Sequence, residues 1–190
     1  GFLFARTLHG AMKHVAPTRM ELKTRTVFNI LGPLTNPAGA DGQVMGVFDK
    51  NLLEPLARVL ANLGARHAFV VAGSDGLDEL TITGPSHVAE AVGGDVKTYE
   101  IGPADVGLAE ASAGALRGGD AQANARILKD VLSGKPGPCR DIVLLNAAAA
   151  IVAGAGAKDL KKGVAVAAQS IDSGEALTKL EALVKVSNDS

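Results

Sequence analysis

The chain has 190 residues, 47% hydrophobic but only 3% aromatic, so it can build one core, filled mostly by Ala, Val, Leu and Ile. Its 19 Lys and Arg against 20 Asp and Glu leave a formal charge of -1, which removes the electrostatic footprint of non-specific nucleic-acid binding. The single Cys139 excludes an internal disulfide, and no apolar run reaches the roughly 18 residues that span a bilayer. A soluble, cytoplasmic protein with no nucleic-acid and no membrane partner is the expectation.

The opening residues lack an initiator Met and a cleavage site behind a hydrophobic region, so they do not read as a signal peptide. They read as the start of a fragment or of the second half of a longer protein. Pro17 is expected to stop a helix begun over 4–13, with a second short helix at 19–23 leading into a β-rich run at 26–31. Gly32-Pro33 and Asn36-Pro37-Ala38-Gly39 read as loop punctuation, which makes Asn29, Gly32, Pro33 and Asn36 an irregular strand exit. A buried strand at 43–48, an amphipathic helix at 52–63 closed by Gly64, and a strand at 67–72 compose a right-handed β-α-β unit. Residues 80–83 read as a further strand, and 88–92 with 96–101 flank Gly93-Gly94-Asp95 as a hairpin. From Asp120 onward four helices follow, at 121–132, 141–153, 159–173 and 174–185, and the alanine-dense 147–157 predicts close helix packing. The fold class is therefore α/β, a mixed central β-sheet flanked by helices, expected as a single domain over 1–190 with no convincing linker.

Two clusters bear on chemistry. Lys13, Arg19, Lys23 and Arg25 lie on a short path, and the planar fork of Arg matches a carboxylate through two parallel hydrogen bonds. From charge spacing alone, a solvated basic face is the simpler reading. Asp78 and Glu79 follow the strand at 67–72, where ligands gather in α/β folds, although Asp-Glu by itself is a common surface dipeptide. Adjacent side chains diverge in a regular strand, so both can face one metal only in a turn or through water. Asp75, before Gly76, reads as a turn residue. Gly118-Gly119-Asp120 invites comparison with a phosphate cradle, but Asp120 is better read as the N-cap of the next helix. His14, His67 and His87 lack metal-ligand spacing.

The order His9-x-x-Met12-Lys13, Pro17-x-Arg19 and Arg25-Thr26-x-Phe28-Asn29-x-Leu31-Gly32-Pro33-Leu34-x-Asn36-Pro37-Ala38 resembles anthranilate phosphoribosyltransferase of tryptophan biosynthesis. Further landmarks follow in order: Gly46-Val47, Gly76-Leu77-Asp78-Glu79, Pro103-x-Asp105-x-Gly107-Leu108, Asn124 and Asn146-Ala147. The resemblance implies a nucleoside phosphorylase/phosphoribosyltransferase-like catalytic domain. It also implies a glycosyltransferase that moves the phosphoribosyl group of phosphoribosyl pyrophosphate (PRPP) to the amine of anthranilate and releases pyrophosphate. Arg19 would hold the anthranilate carboxylate, His9 and Gly32 would line that pocket, and Asp78 with Glu79 would bind Mg2+, which suits hard oxygen ligands. In the family, a helical N-terminal domain and a Gly-Thr-Gly-Gly-Asp loop that cradles PRPP precede the part matched here, and the whole enzyme is a homodimer. This chain would then be the large C-terminal domain, inactive alone. No residue stands out as a general base, and an aromatic amine losing its proton late need not have a strong one. Arg6 and Gly10, which border the pocket that the resemblance implies, stand where the family form has proline. Rival readings are a pyrimidine nucleoside phosphorylase-like enzyme, against which Pro17-x-Arg19 counts, and a non-enzymatic nucleic-acid-binding relative, against which the charge of -1 and the acidic pair count.

Overall fold

A computed structural model describes residues 10, 12–24 and 26–189. The chain divides into two compact units, Gly1–Ala40 and Asp41–Ser190. The α/β architecture belongs to the second unit.

The described part of the first unit is helical. Helix α1 (Met12–Leu22) contains Pro17 in its interior, so the two short helices expected on either side of that residue are one. Proline removes one intrahelical hydrogen bond and crowds a carbonyl one turn back, but the flanking Met, Lys, Arg, Glu and Leu are good helix formers that carry the helix through. The strand expected at 26–31 is also overturned, because these residues enter helix α2 (Phe28–Leu34), with Gly32 and Pro33 inside it rather than in a loop. One side chain holds the backbone just ahead of this short helix and another closes its C-terminal end. The Thr26 N–H donates to Asn29 Oδ1 at 2.9 Å, and the Thr35 hydroxyl donates to the Leu31 carbonyl at 2.9 Å. Local capping of this kind satisfies orphan backbone groups and outweighs the β-preference of Thr26, Val27 and Ile30.

In the second unit, β1 (Gly42–Gly46) leads through a 3-10 turn into helix α3 (Leu53–Asn62), and β2 (His67–Gly73) returns parallel to β1, with Gly42 opposite His67 and Gly46 opposite Val71. Asp49 starts the connection by accepting the Asn51 N–H at 2.9 Å. β3 (Ser86–Val92) and β4 (Asp95–Ile101) continue the sheet antiparallel in the order β1-β2-β3-β4. Their hairpin turns on Gly93 and Gly94, whose φ values of 58° and 99° are those a tight two-residue turn requires and that only glycine adopts freely. Helices α4 (Ala121–Leu132), α5 (Pro138–Ala153), α6 (Leu160–Asp172) and α7 (Glu175–Asn188) follow. Among the described residues, no helix is long and apolar enough to cross a membrane.

Alternation along β2 explains why its residues are buried on both faces. Phe69 and Val71 enter a core with Leu145, Ala148, Ala149 and Val152 of α5, while Ala68, Val70 and Ala72 point to the opposite side of the sheet. α3 packs against β2, β3 and β4 through an apolar face that includes Leu53, Leu56, Ala57 and Leu60. The alanine-dense stretch is indeed a close packing surface. A Cβ placed on Gly163 of α6 would stand 2.8 Å from the Ala148 carbonyl oxygen, so the two helix backbones nearly touch there.

The strand expected at 80–83 is not one. Leu80, Thr81 and Ile82 are fully buried, which gives them the look of a core strand, but their backbone groups are satisfied mainly by side chains. Leu80 N–H donates to Asn146 Oδ1 at 2.9 Å and Thr81 N–H to Ser86 Oγ at 2.8 Å. Such partners replace a ladder and leave the segment free to bend.

One polar cluster on the β3-β4 hairpin yields a pH prediction. Glu90 is nearly buried and accepts from His67 Nε2 at 2.8 Å, Lys97 Nζ at 3.0 Å and the Tyr99 hydroxyl at 2.9 Å. Burial works to raise its pKa, but these hydrogen bonds and the Lys97 charge prevail and hold it below its ordinary value. Burial, then the Glu90 charge and its hydrogen bond, push the Tyr99 phenol up. A carboxylate with a depressed folded pKa stabilises the fold above its unfolded pKa, and that contribution disappears as the pH falls through the folded one. Glu90→Gln should therefore lower Tm at pH 7 and flatten the loss of Tm on acidification below about pH 4.5, the unperturbed carboxylate range. An unchanged acid profile would show that Glu90 contributes nothing to it.

Candidate active site

The acidic pair sits on the segment that leaves the carboxyl end of β2. Gly76, at φ 89°, lets the chain reverse after Asp75, and the turn closes with Gly73 N–H to the Leu77 carbonyl at 2.8 Å. Asp75 is the turn residue expected, and more. Its carboxylate accepts from Leu77 N–H at 3.1 Å and from the hydroxyls of Thr81 and Thr83 at 2.6 Å each, so it ties the start of the segment to its end. Burial opposes ionisation, but the Thr81, Thr83 and backbone bonds together hold the Asp75 carboxyl below its usual range.

Asp78 and Glu79 stand between these anchors. Asp78 is exposed and Glu79 half-buried. Burial first, then the charges of Asp78 and Asp75, push the Glu79 carboxyl up. Carboxylates crowded in this way repel one another, and among the described residues no cationic side chain is seen paired with Asp78 or Glu79. A bound cation would relieve that repulsion. Among the described residues no group of three or more His, Cys, Asp or Glu is arranged to hold a metal ion. Two carboxylates without a closed cage fit Mg2+, which keeps several waters and is usually shared with substrate phosphates.

On the Glu79 side opens a cavity of about 570 Å3, bordered by Asp75, Leu77, Leu116, Asn124 and Ile142. The glycine pair beside it is not a free anion cradle. Gly119 N–H is taken by Asn124 Oδ1 at 2.8 Å, and Asp120 caps α4 by accepting Ala123 N–H at 2.8 Å, as expected of an N-cap.

Of the other residues singled out in the sequence, Arg19 is on α1 and Gly32 is within α2, where, among the described residues, a Cβ would meet no atom within 4 Å beyond its chain neighbours and its own helix backbone. His9 and Arg25 lie outside the described residues. Thr81, Thr83 and the side-chain bonds of Asn146 were not foreseen from the sequence. A signal for Asn146 existed, since an amide among Leu144, Leu145, Ala148 and Ala149 of a core helix needs partners.

Residues 1–177 match the family model described as glycosyl transferase family, a/b domain. A curated relative from Rhodopseudomonas palustris (strain HaA2), named anthranilate phosphoribosyltransferase, is 59% identical over 187 residues, covering 98% of this chain and 55% of the relative. One from Bradyrhizobium diazoefficiens with the same name is 55% identical, covering 99% and 56%. The crystal structure of anthranilate phosphoribosyltransferase from Thermus thermophilus superposes with a TM-score of 0.90 at 48% identity, covering 97% of this chain and 55% of that one. The Saccharomyces cerevisiae enzyme in complex with PRPP and Mg gives 0.81 at 35% identity, covering 91% and 50%. The chain thus spans about half the length of the curated relatives it matches. With a matching model over nearly its whole length and the mixed sheet in place, the chain belongs to the glycosyl transferase family as its a/b domain.

Proposed function

We propose that the protein carrying this chain transfers the 5-phosphoribosyl group of PRPP to the amine of anthranilate, a step of tryptophan biosynthesis. The structural observation behind this reading is the acidic pair on the bend after β2, without a described cationic partner and open to a metal shared with a phosphate. The names of the curated relatives and the PRPP and Mg complex of the yeast enzyme support it.

In the reaction the anthranilate nitrogen forms a bond to C1 of the ribose while the bond from C1 to the pyrophosphate oxygen breaks, and the amine proton leaves to solvent. Bound Mg2+ would offset the charge that develops on the departing pyrophosphate. Asp78 and Glu79 are the residues assigned to hold it. Arg19 is assigned to the anthranilate carboxylate, where its fork would orient the amine. Gly32 and His9 complete the acceptor pocket in this reading. The PRPP cradle is assigned to a part of the protein outside this chain, so the 190 residues alone are not expected to turn over. The full-length protein is read as a cytoplasmic homodimer.

The assignment of Arg19 is tested in the full-length protein by steady-state kinetics. Arg19→Ala should raise KM for anthranilate by about 10- to 100-fold, the loss of a charged bidentate pair, while KM for PRPP changes little. Arg19→Lys should recover only part of it. Equal effects on both substrates would mean that Arg19 is not the carboxylate clamp.

A further inference from the structure

Asn146 lies at the middle of α5, half-buried on a helix whose neighbouring Leu145 and Ala149 are in the core. An amide there is unfavourable unless it is bonded, and this one bonds through its oxygen and through both hydrogens of its nitrogen. Oδ1 accepts the Leu80 N–H at 2.9 Å, and Nδ2 donates to the Leu80 carbonyl at 2.8 Å and to the Ile142 carbonyl at 3.0 Å. The bonds to Leu80 reach 66 residues back in the chain and give one residue both of the bonds a neighbouring strand would give it. That residue is the one immediately after Glu79.

We infer that Asn146 is a positioning residue that fixes Asp78 and Glu79 for cation binding by clamping the backbone of Leu80. The inference rests on the proposed role of the acidic pair. The segment has few regular bonds of its own. Asp75 holds its start through Leu77, Thr81 and Thr83, Ser86 holds Thr81, and Asn146 anchors it to the core helix at the residue that follows the two carboxylates. Without the clamp, Leu80 would have an unpaired N–H and C=O next to a fully buried side chain, and the chain would gain freedom to turn just where two carboxylates must point at one ion. Partners that orient ligands from behind typically change metal affinity by about 10- to 100-fold.

The test is a Mn2+ titration followed by electron paramagnetic resonance, with pyrophosphate present, on the full-length protein and three variants. Asp78→Asn reports on the acidic pair itself, Asn146→Ala on the clamp, and Asn146→Ser on a partial clamp that serves if the alanine variant does not fold. Weaker Mn2+ binding in Asp78→Asn and, by at least about 10-fold, in Asn146→Ala is the expected result. Asn146→Ser should shift in the same direction by less, and turnover by the Asn146 variants should recover toward wild type at saturating metal with KM for anthranilate unchanged. If Asp78→Asn weakens Mn2+ binding and the Asn146 variants merely melt earlier with unchanged affinity, the positioning role is overturned and the acidic pair stands. If Asp78→Asn leaves Mn2+ binding unchanged, the metal reading falls and the role of Asn146 with it.

Discussion

Turnover of anthranilate and PRPP by the full-length protein is expected to fall by at least about 100-fold in Asp78→Asn or Glu79→Gln, because each removes one carboxylate from a cation that offsets roughly 3 kcal/mol or more of developing charge. The same substitutions should leave the metal-free fold intact or firmer. The Glu79 carboxyl is pushed up by burial and by Asp78 and Asp75, so its ionised form opposes folding. An acid with a raised folded pKa contributes stability below its unfolded pKa that is lost as the pH rises through the folded one. At pH 7 Glu79→Gln should therefore melt at the same temperature as the unsubstituted protein or slightly above it in the presence of a chelator. A loss of activity accompanied by an equal loss of Tm would instead mark the pair as structural and undo its assignment to the metal. Added Mg2+ should raise Tm of the unsubstituted protein and do so less in both variants, by mass action on a weaker site.

The parts of the fold that the sequence discloses are those whose signals are local and agree with their surroundings. α3 with its apolar face, the two glycines of the hairpin and the Asp120 cap all emerge where periodicity, turn chemistry and capping place them. Two of the failures share one cause, which is that side chains satisfy the backbone in place of a ladder. Residues 26–31 carry β-formers, yet Asn29 and Thr35 close a helix around them. Leu80, Thr81 and Ile82 carry the burial of a strand, yet Asn146 and Ser86 supply the bonds a ladder would have supplied. Pro17 is tolerated because the rest of α1 is helix-forming. The candidate site divides in the same way. Asp78 and Glu79 are visible as a motif, whereas the anchors that hold them come from Thr81, Thr83 and α5 and have no spacing to reveal them.

Gly46→Ala should be the most damaging single-carbon change near this site. Gly46 ends β1, paired with Val71 of β2, and the position its Cβ would take is already filled by the carbonyl oxygen of Asp78, with the carbonyl carbon 2.6 Å away. Backbone stands against backbone here, so no side chain can rotate aside. Either β1 separates from the bend or the bend moves, and in the second case Asp78 moves with it. Overpacking of this type destabilises by about 3 kcal/mol, roughly 6–12 °C in Tm for a domain of this size. Mn2+ affinity of whatever protein remains folded should fall alongside, since the displaced atom belongs to a proposed ligand. The two readouts separate the consequences: a lowered Tm with full metal affinity would mean that β1 yields and the bend does not. A Tm within a degree or two of the unsubstituted protein would contradict the close approach of Gly46 to Asp78 altogether. The contact also gives a physical reason for glycine at this position. The strand that begins the sheet must come near enough to the acidic bend that the bend's own backbone serves as its neighbour, and only a residue without a side chain permits it.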